Sequence, residues 1–178
     1  MRHLVVRRAP YRLCRTASAA GFSLLELMIV VAIVAILALI AIPNFSDKFV
    51  REQIVESMKL ADVAKAPIAV LWAASGTMPL DNGAAGLPPA AMIVNNFISS
   101  IAIESGAIQV TFGNHANPAL QGKTLSLRPA VIQNAKIVPV AWVCGFSEPP
   151  VNMVVKGLNK TNIALGYLPL NCRSMAPG

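Results

Sequence analysis

An almost uninterrupted apolar run near the N-terminus constrains this chain more than any other feature. Residues 22–42 include only two polar side chains, those of Ser23 and Glu26. As an α-helix, a segment of this length extends about 31 Å, which matches the hydrocarbon core of a bilayer. The run therefore predicts a membrane-spanning helix over 22–42, and the 55% hydrophobic content of the whole chain agrees with this.

The segment before this run is basic and contains no acid. It holds five of the chain's 15 Lys and Arg residues, namely Arg2, Arg7, Arg8, Arg12 and Arg15. The rest carries ten Lys and Arg against eight Asp and Glu, so the formal net charge of +7 arises mostly at this end. Such basic flanks are typical of the cytoplasmic side of a membrane segment. The charge therefore gives little support to nucleic-acid binding.

The main alternative for the run is a secretory signal peptide that is removed. Such a peptide has its small-residue cleavage site after the apolar core. Here the matching sequence, Ala-Ser-Ala at 17–19, comes before the core. This order favours cleavage on the cytoplasmic side, after which the apolar segment stays attached.

Glu26 needs an explanation because it would enter the edge of the lipid. With Ser23 it forms a capping-box pattern, and a carboxylate in the first helical turn gains about 0.3 to 1 kcal/mol from the helix dipole. An Asp at mid-bilayer costs about 2.5 to 3.5 kcal/mol, and less near the end of the span. No Lys, Arg or His lies between residues 22 and 47. Cleavage after Gly21 would, however, create an α-amino group at Phe22 that could pair with Glu26, within one chain or between neighbouring chains.

These residues resemble the N-terminal signature of type IV prepilins. The stretch GFSLLELMIVVAIVAILALIAIPNF shares with it a basic leader that ends in Gly, an aromatic first mature residue, a Glu at the fifth mature position and an apolar stretch that ends in Pro. The resemblance implies that a prepilin peptidase cuts between Gly21 and Phe22 and N-methylates Phe22. It also implies that Glu26 of an incoming subunit pairs with the Phe22 amine of its neighbour during filament assembly.

Pro43 ends the apolar stretch and lacks the N–H of a normal helical residue. Its ring clashes with the carbonyl of Leu39, so we expect a kink or a locally loosened helix there. The resemblance implies that this loosening lets the subunit helix adapt inside a filament. A helix that simply ends at Pro43 is the alternative.

Beyond Pro43 the pattern is that of an amphipathic helix. Apolar residues recur at helical spacing at Val50, Ile54, Ala61, Ala64, Ile68 and Leu71. We therefore predict one long helix from residue 22 to about residue 74, with this stripe packed against a globular head. Pro67 interrupts the stripe, and Gly76 is the expected C-cap.

The rest of the chain predicts a small sheet. Residues 76–97 are rich in Gly, Pro and Ala and predict an irregular connection. Strand-like runs follow at 97–103, 107–113, 123–132 and 138–145, the first two forming a hairpin. The predicted fold class is α+β: a long N-terminal helix, transmembrane and then amphipathic, packed on an antiparallel sheet of about four strands. Pro139 should lie at a strand start or edge.

Two cysteines remain beyond the leader, which contains Cys14. Cys144 and Cys172 lie in the part of the chain expected to reach an oxidising compartment, so we predict a disulfide between them, with two buried free thiols as the alternative. Closing that loop should restrict the unfolded chain by about 3.5 kcal/mol. The stretches AWVCG and GYLPLNCR are similar to the disulfide-bounded C-terminal region of type IVa pilins.

The chain is thus expected to have three parts. These are a prepilin leader at 1–21, a long helix at 22–75 and a globular head at 76–178 with a disulfide-closed C-terminal region. Within the helix, residues 22–42 would form the membrane or filament core.

Catalytic constellations, cofactor motifs and metal-ligand spacings are not found in the sequence, and its two histidines, His3 and His115, stand alone. We therefore predict that the protein is not an enzyme and has no cofactor or metal. After Gly76, six Lys and Arg residues outnumber three acids, but they are scattered. Nucleic acid is therefore a weakly supported partner.

The resemblance implies a structural subunit, the major pilin of a type IVa pilus. Copies of the chain would polymerise into a surface filament for adhesion, twitching motility and DNA uptake. Its other partners would be the prepilin peptidase and the pilus assembly machinery. The precursor would lie in the inner membrane, and the mature subunit in the extracellular pilus.

Three alternatives stay open. A minor pilin keeps every one of these motifs. A type II secretion pseudopilin shares the N-terminal signature, but major pseudopilins usually carry a calcium loop where this chain has Cys144 and Cys172, and no Asp-rich run follows Gly145. A membrane-anchored periplasmic binding module that never assembles would have no reason to carry Glu26.

Overall fold

The computed structural model describes the backbone of residues 21–174 and the side chains of 21–39 and 47–174. The chain divides into two compact units, Met1–Ile40 and Ala41–Gly178. Apart from Gly21, the expected leader lies outside the described residues, and so does Cys14. The first element is helix α1, Leu24–Ser75, which contributes to both units.

Helix α1 confirms the predicted long helix, with bounds within two residues of those expected. It continues through Pro43, so the alternative of a helix end there is wrong. The side chain of Pro43 lies outside the described residues, and the expected kink stays a prediction. In the part of the chain that the structure describes, no helix is both long and apolar enough to cross a membrane. The span predicted at 22–42 includes residues 40–42, whose side chains are not described, and it stays a prediction.

In the second unit, one face of α1 is buried as the apolar pattern predicted. The fully buried positions on this face include Val50, Ile54, Ala61, Ala64 and Ile68. At the end of the helix, Gly76 has φ of +75° and its N–H donates to the carbonyl of Trp72 at 2.8 Å. This left-handed conformation suits glycine, so the predicted C-cap is confirmed.

Five antiparallel strands form a single sheet, and four of them were predicted. They are β1 (Ile98–Glu104), β2 (Ala107–Phe112), β3 (Thr124–Val131), β4 (Ala141–Cys144) and β5 (Val154–Val155). Strands β1 to β4 are adjacent in chain order. Ala130 pairs with Ala141 of β4 and with Val155 of β5, and Leu127 pairs with both β2 and β4. Strand β4 therefore lies along one edge of β3, while β2 and β5 share the other.

The turn between β1 and β2 confirms the predicted hairpin. Its two central residues both have positive φ, +50° at Ser105 and +85° at Gly106. A two-residue loop with this combination is a type I′ turn, whose twist matches that of the flanking strands.

Pro139 does not lie where the sequence predicted it, and another proline of the sheet region lies inside a strand. Strand β4 begins at Ala141, two residues after Pro139, so the strand predicted over 138–145 is shorter in the structure. Pro129 instead lies inside β3, where its carbonyl accepts the N–H of Lys156 at 2.8 Å. Because the facing strand β5 has only two residues, the missing proline donor removes little pairing.

Both faces of the sheet are covered. One face shares a core with α1 that includes Ile68, Val110 and Leu125. On the other face, the hydroxyl of buried Ser126 donates to Gln109 Oε1 at 2.6 Å and accepts the N–H of Lys160 at 2.7 Å. The C-terminal segment thus closes over the polar face of the sheet, and the predicted α+β fold class is confirmed.

Candidate processing and assembly site

The predicted processing site lies immediately before α1 and is open to solvent. Gly21 and Phe22 precede the helix, and the side chain of Phe22 is 82% exposed. A Cβ added to Gly21 would meet no atom within 4 Å. Among the described residues, nothing therefore requires glycine at position 21, and both Gly21 and Phe22 are exposed.

Glu26 occupies the place in the helix that the capping-box pattern predicted. The N–H of Leu27 donates to the Ser23 carbonyl at 3.1 Å, and Glu26 lies in the first turn of α1. A carboxylate is favoured there by the helix dipole. Among the described residues, no cationic side chain lies within 4.0 Å of its oxygens. In the uncut chain the nitrogen of Phe22 is a peptide amide, so the proposed ammonium partner does not yet exist.

The helix that follows Glu26 exposes an apolar surface around its whole circumference. Every described side chain from 24 to 39 is exposed, and the large apolar ones range from 52% exposed at Ile29 to 77% at Leu24. A continuous apolar surface of this kind is unfavourable in water and marks contact with lipid or protein. The structure thus places one acidic group in the first turn of an apolar helix. The exposed apolar surface of this helix needs a partner.

The predicted disulfide is present and closes the C-terminal region. Cys144 is the last residue of β4, and Cys172 lies in the 3₁₀ helix Leu170–Cys172; their S–S distance is 2.04 Å. The alternative of two free thiols is wrong. The sulfur of Met58 on α1 lies 3.8 Å from Cys144 Sγ and 4.0 Å from Cys172 Sγ, so the bridge also packs against the helix.

Gly145, directly after Cys144 of the disulfide, accepts two side-chain hydrogen bonds. Its carbonyl accepts from Arg128 Nη2 at 3.1 Å and from Asn159 Nδ2 at 2.8 Å. Burial lowers the pKa of Arg128, because the charged guanidinium loses hydration. Its Nε has no hydrogen-bond partner among the described residues. Sequence analysis did not single out Arg128 for this role.

Two further arginines hold the C-terminal region, one from the helix and one from within the region itself. Arg51 on α1 donates to the carbonyl of Gly166 at 2.9 Å through Nη2, and Arg173 donates to the same carbonyl at 3.0 Å. Arg173 also donates through Nε to the Leu168 carbonyl at 2.8 Å. Sequence analysis missed the contact of Arg51 with Gly166, since no local pattern connects residues that lie more than 100 positions apart.

Asn82 plays a similar role in the irregular connection at 76–97. Its Nδ2 donates to the carbonyls of Pro88 and Ile101 at 2.9 and 3.0 Å, and its Oδ1 accepts the N–H of Ile103 at 2.7 Å. The connection is thereby fixed to the edge strand β1. Sequence analysis assigned no role to Asn82, because an Asn in a Gly- and Pro-rich segment is an ordinary turn residue.

Within the described ranges, no group of three or more His, Cys, Asp or Glu side chains is placed to hold a metal ion. His115 lies between β2 and β3, where its backbone N–H donates to the Asn96 carbonyl at 2.8 Å. The residues that carry chemistry are thus those of the N-terminal junction and of the disulfide.

Comparisons with known proteins agree with this arrangement. A model of the family described as Pilin (bacterial filament) matches residues 50–173, and the prokaryotic N-terminal methylation motif matches residues 16–42. The chain is 35% identical over 162 residues to type IV major pilin protein PilE of Neisseria gonorrhoeae, which covers 86% of this chain and 93% of the relative. It is 32% identical over 161 residues to fimbrial protein EcpC of Eikenella corrodens, covering 88% and 92% of the two chains.

A shorter match is found with a further fimbrial protein. The type IV major fimbrial protein FimA of Dichelobacter nodosus is 55% identical over 49 residues, or 28% of this chain and 31% of that protein. The family model matches most of the chain, and the full-length relatives match most of both chains. Together these matches show the family to which the protein belongs. The chain belongs to the pilin family of bacterial filament proteins.

Proposed function

We propose that this chain is the major structural subunit of a type IV pilus, made as a membrane-anchored precursor. The observation that carries the proposal is the exposed apolar helix at 24–39, which has Glu26 in its first turn and closely follows the exposed residues Gly21 and Phe22. An exposed apolar helix of this kind would lie in lipid before assembly and would pack against copies of itself in the filament. Relatives named as major pilins support the major rather than the minor role.

Processing is proposed to occur between Gly21 and Phe22. The methylation-motif match includes both residues, and no contact with the described residues explains the glycine. A peptidase that needs an unhindered backbone would explain it, since glycine lets another chain approach closely. Cleavage gives Phe22 an α-amino group, which the same peptidase would methylate.

Assembly is proposed to pair Glu26 of one subunit with the Phe22 ammonium of its neighbour. Among apolar helices this pair would be desolvated, and removal of one partner from such a pair costs about 3 to 5 kcal/mol. Small residues at Ala32, Ala35 and Ala38 would let helices approach closely. A repeated head-to-tail contact that does not close produces a helical fibre, and a loosened helix at Pro43 would let each subunit adapt.

The remaining roles follow from this assignment. The precursor would lie in the inner membrane, where the prepilin peptidase and the pilus assembly machinery act on it. The extracellular filament would serve adhesion, twitching motility and DNA uptake.

The Glu26→Ala variant tests the assembly step. We expect the variant to insert and to be cut, because the apolar run and Gly21 are intact, but not to appear in filaments sheared from cells. Glu148→Ala, which removes an exposed acid in the head, is the matched control and should assemble normally. Filaments of normal number and length from Glu26→Ala would refute the proposed pair.

A further inference from the structure

A cavity of about 460 Å³ lies in the head at the C-terminal end of α1. Binding sites for small molecules typically have volumes of about 300 to 1,000 Å³. Its wall combines the side of Trp72 with the end of the helix, the β1–β2 turn and the segment after β5. None of the residues that line the cavity belongs to the N-terminal junction or to the disulfide.

The polar groups of this cavity are uncharged except for one amine. Thr77, Ser105 and Gln133 supply hydroxyl and amide groups, and half-buried Lys156 supplies the charge. No carboxylate lines the cavity, and among the described residues none lies within 4.0 Å of the Lys156 amine. Glu104, next to Ser105 in the chain, is paired with Lys160.

A second amine lies close to the cavity wall. A Cβ added to Gly76 would lie 2.8 Å from Nζ of Lys136. This position matters because the C-terminal end of α1 carries partial negative charge, which opposes an anion. Two amines beside the helix end outweigh that partial charge, so the cavity favours a ligand with one negative group.

Backbone hydrogen bonds hold the walls of the cavity in place. The β1–β2 turn is tied to the connection, since the N–H of Gly106 donates to the Pro79 carbonyl at 2.8 Å. The N–H of Lys156 donates to the Pro129 carbonyl of β3 at 2.8 Å. A site with fixed walls loses little conformational freedom when a ligand binds.

We propose that this cavity binds an acidic sugar unit. The carboxylate would contact the Lys156 amine, the hydroxyls would bond to the side chains of Thr77, Ser105 and Gln133, and the apolar ring face would lie against Met78, beside the largely buried Trp72. A sugar carboxylate matches one amine surrounded by neutral hydrogen-bonding groups. Inorganic phosphate matches it less well because it has no apolar face.

The test uses the full chain in detergent, labelled with ¹⁵N at tryptophan. The chain has only two tryptophans, so the Trp72 indole signal reports on the cavity and the Trp142 signal serves as internal control. Titration with glucuronate should shift the Trp72 signal and leave that of Trp142 in place. Glucose and inorganic phosphate, as the neutral sugar and the bare anion, should bind at least about tenfold more weakly, because each lacks one part of the recognised chemistry.

The Lys156→Met variant separates a charge-dependent site from simple apolar binding. It should weaken glucuronate binding by about tenfold or more, since a hydrogen bond to a charged group is lost. Lys123→Met, which alters an exposed amine outside the cavity, should bind like the unmodified chain. The proposal is overturned if glucuronate leaves the Trp72 signal unmoved, if glucose or phosphate binds equally well, or if Lys156→Met binds normally.

Discussion

At the residue scale, Gly145 leaves no room for a side chain because it lies against Cys172, the disulfide partner of Cys144. Its φ is +54°, and an added Cβ would lie 2.7 Å from the carbonyl oxygen of Cys172. Gly86 offers a comparison, since its φ is +67° but an added Cβ would meet nothing within 4 Å. A comparison of substitutions at the two glycines therefore separates the cost of backbone strain from the cost of steric collision.

We predict that Gly145→Ala destabilises the head by about 3 kcal/mol, against about 1 to 2 kcal/mol for Gly86→Ala. Both variants carry the left-handed penalty, and only Gly145→Ala must also displace Cys172. Urea unfolding of the detergent-solubilised chain measures the difference. Equal losses for the two variants would mean that the contact with Cys172 relaxes freely.

Asn82 contributes to the stability of the fold through its hydrogen bonds. We predict that Asn82→Ala lowers the free energy of unfolding by about 2 to 4 kcal/mol, because three backbone groups lose their partner. Asn134→Ala, at an exposed position, should change it by less than about 0.5 kcal/mol. The same urea titration reports both values, and a negligible effect of Asn82→Ala would show that water replaces the lost bonds.

At the scale of elements, the disulfide joins the end of β4 to the last 3₁₀ helix. We predict that the double variant Cys144→Ala and Cys172→Ala loses about 3.5 kcal/mol of stability from the freed loop. Unmodified protein unfolded with reductant should approach the same stability, which provides the control. A loss well under 1 kcal/mol would indicate that the packing around Met58, not the covalent bond, holds the region.

Elements with a local pattern were predictable from the sequence. The helical spacing of Val50, Ile54 and Ala61 defined α1, and alternation around a Gly-containing turn defined the β1–β2 hairpin. Strand β5 was missed because its two residues carry no periodic pattern. The anchoring contacts of Arg51 and Asn82 were missed because they depend on partners far away in the chain.

The candidate site likewise has parts that a local pattern predicts and parts that depend on distant residues. Positions of Phe22 and Glu26 at the start of the helix follow from a motif of fixed spacing, so the sequence sufficed to place them. The cavity beside Lys156 combines five chain segments. Only the folded sheet brings these segments together, and no stretch of sequence predicts their meeting.

At the scale of the whole molecule, the proposed function requires one chain to serve two environments. The apolar segment at 24–39 is suited to lipid before assembly and to a helical bundle afterwards. Residues 47–174 have their own core of helix and sheet, closed by a disulfide. In the proposed assembly, the change between the two environments would depend on one new charge, the α-amino group at Phe22.

Mass spectrometry of material sheared from intact cells tests this central claim most directly. The account predicts that this chain is the most abundant pilin-like protein in the sheared filaments and that its N-terminal peptide begins at N-methylated Phe22. A processed chain that stays in the envelope, with only traces outside, would contradict the major-subunit role in favour of a minor pilin or pseudopilin. A chain that keeps residues 1–21 would contradict the processing and assembly proposed for Gly21, Phe22 and Glu26.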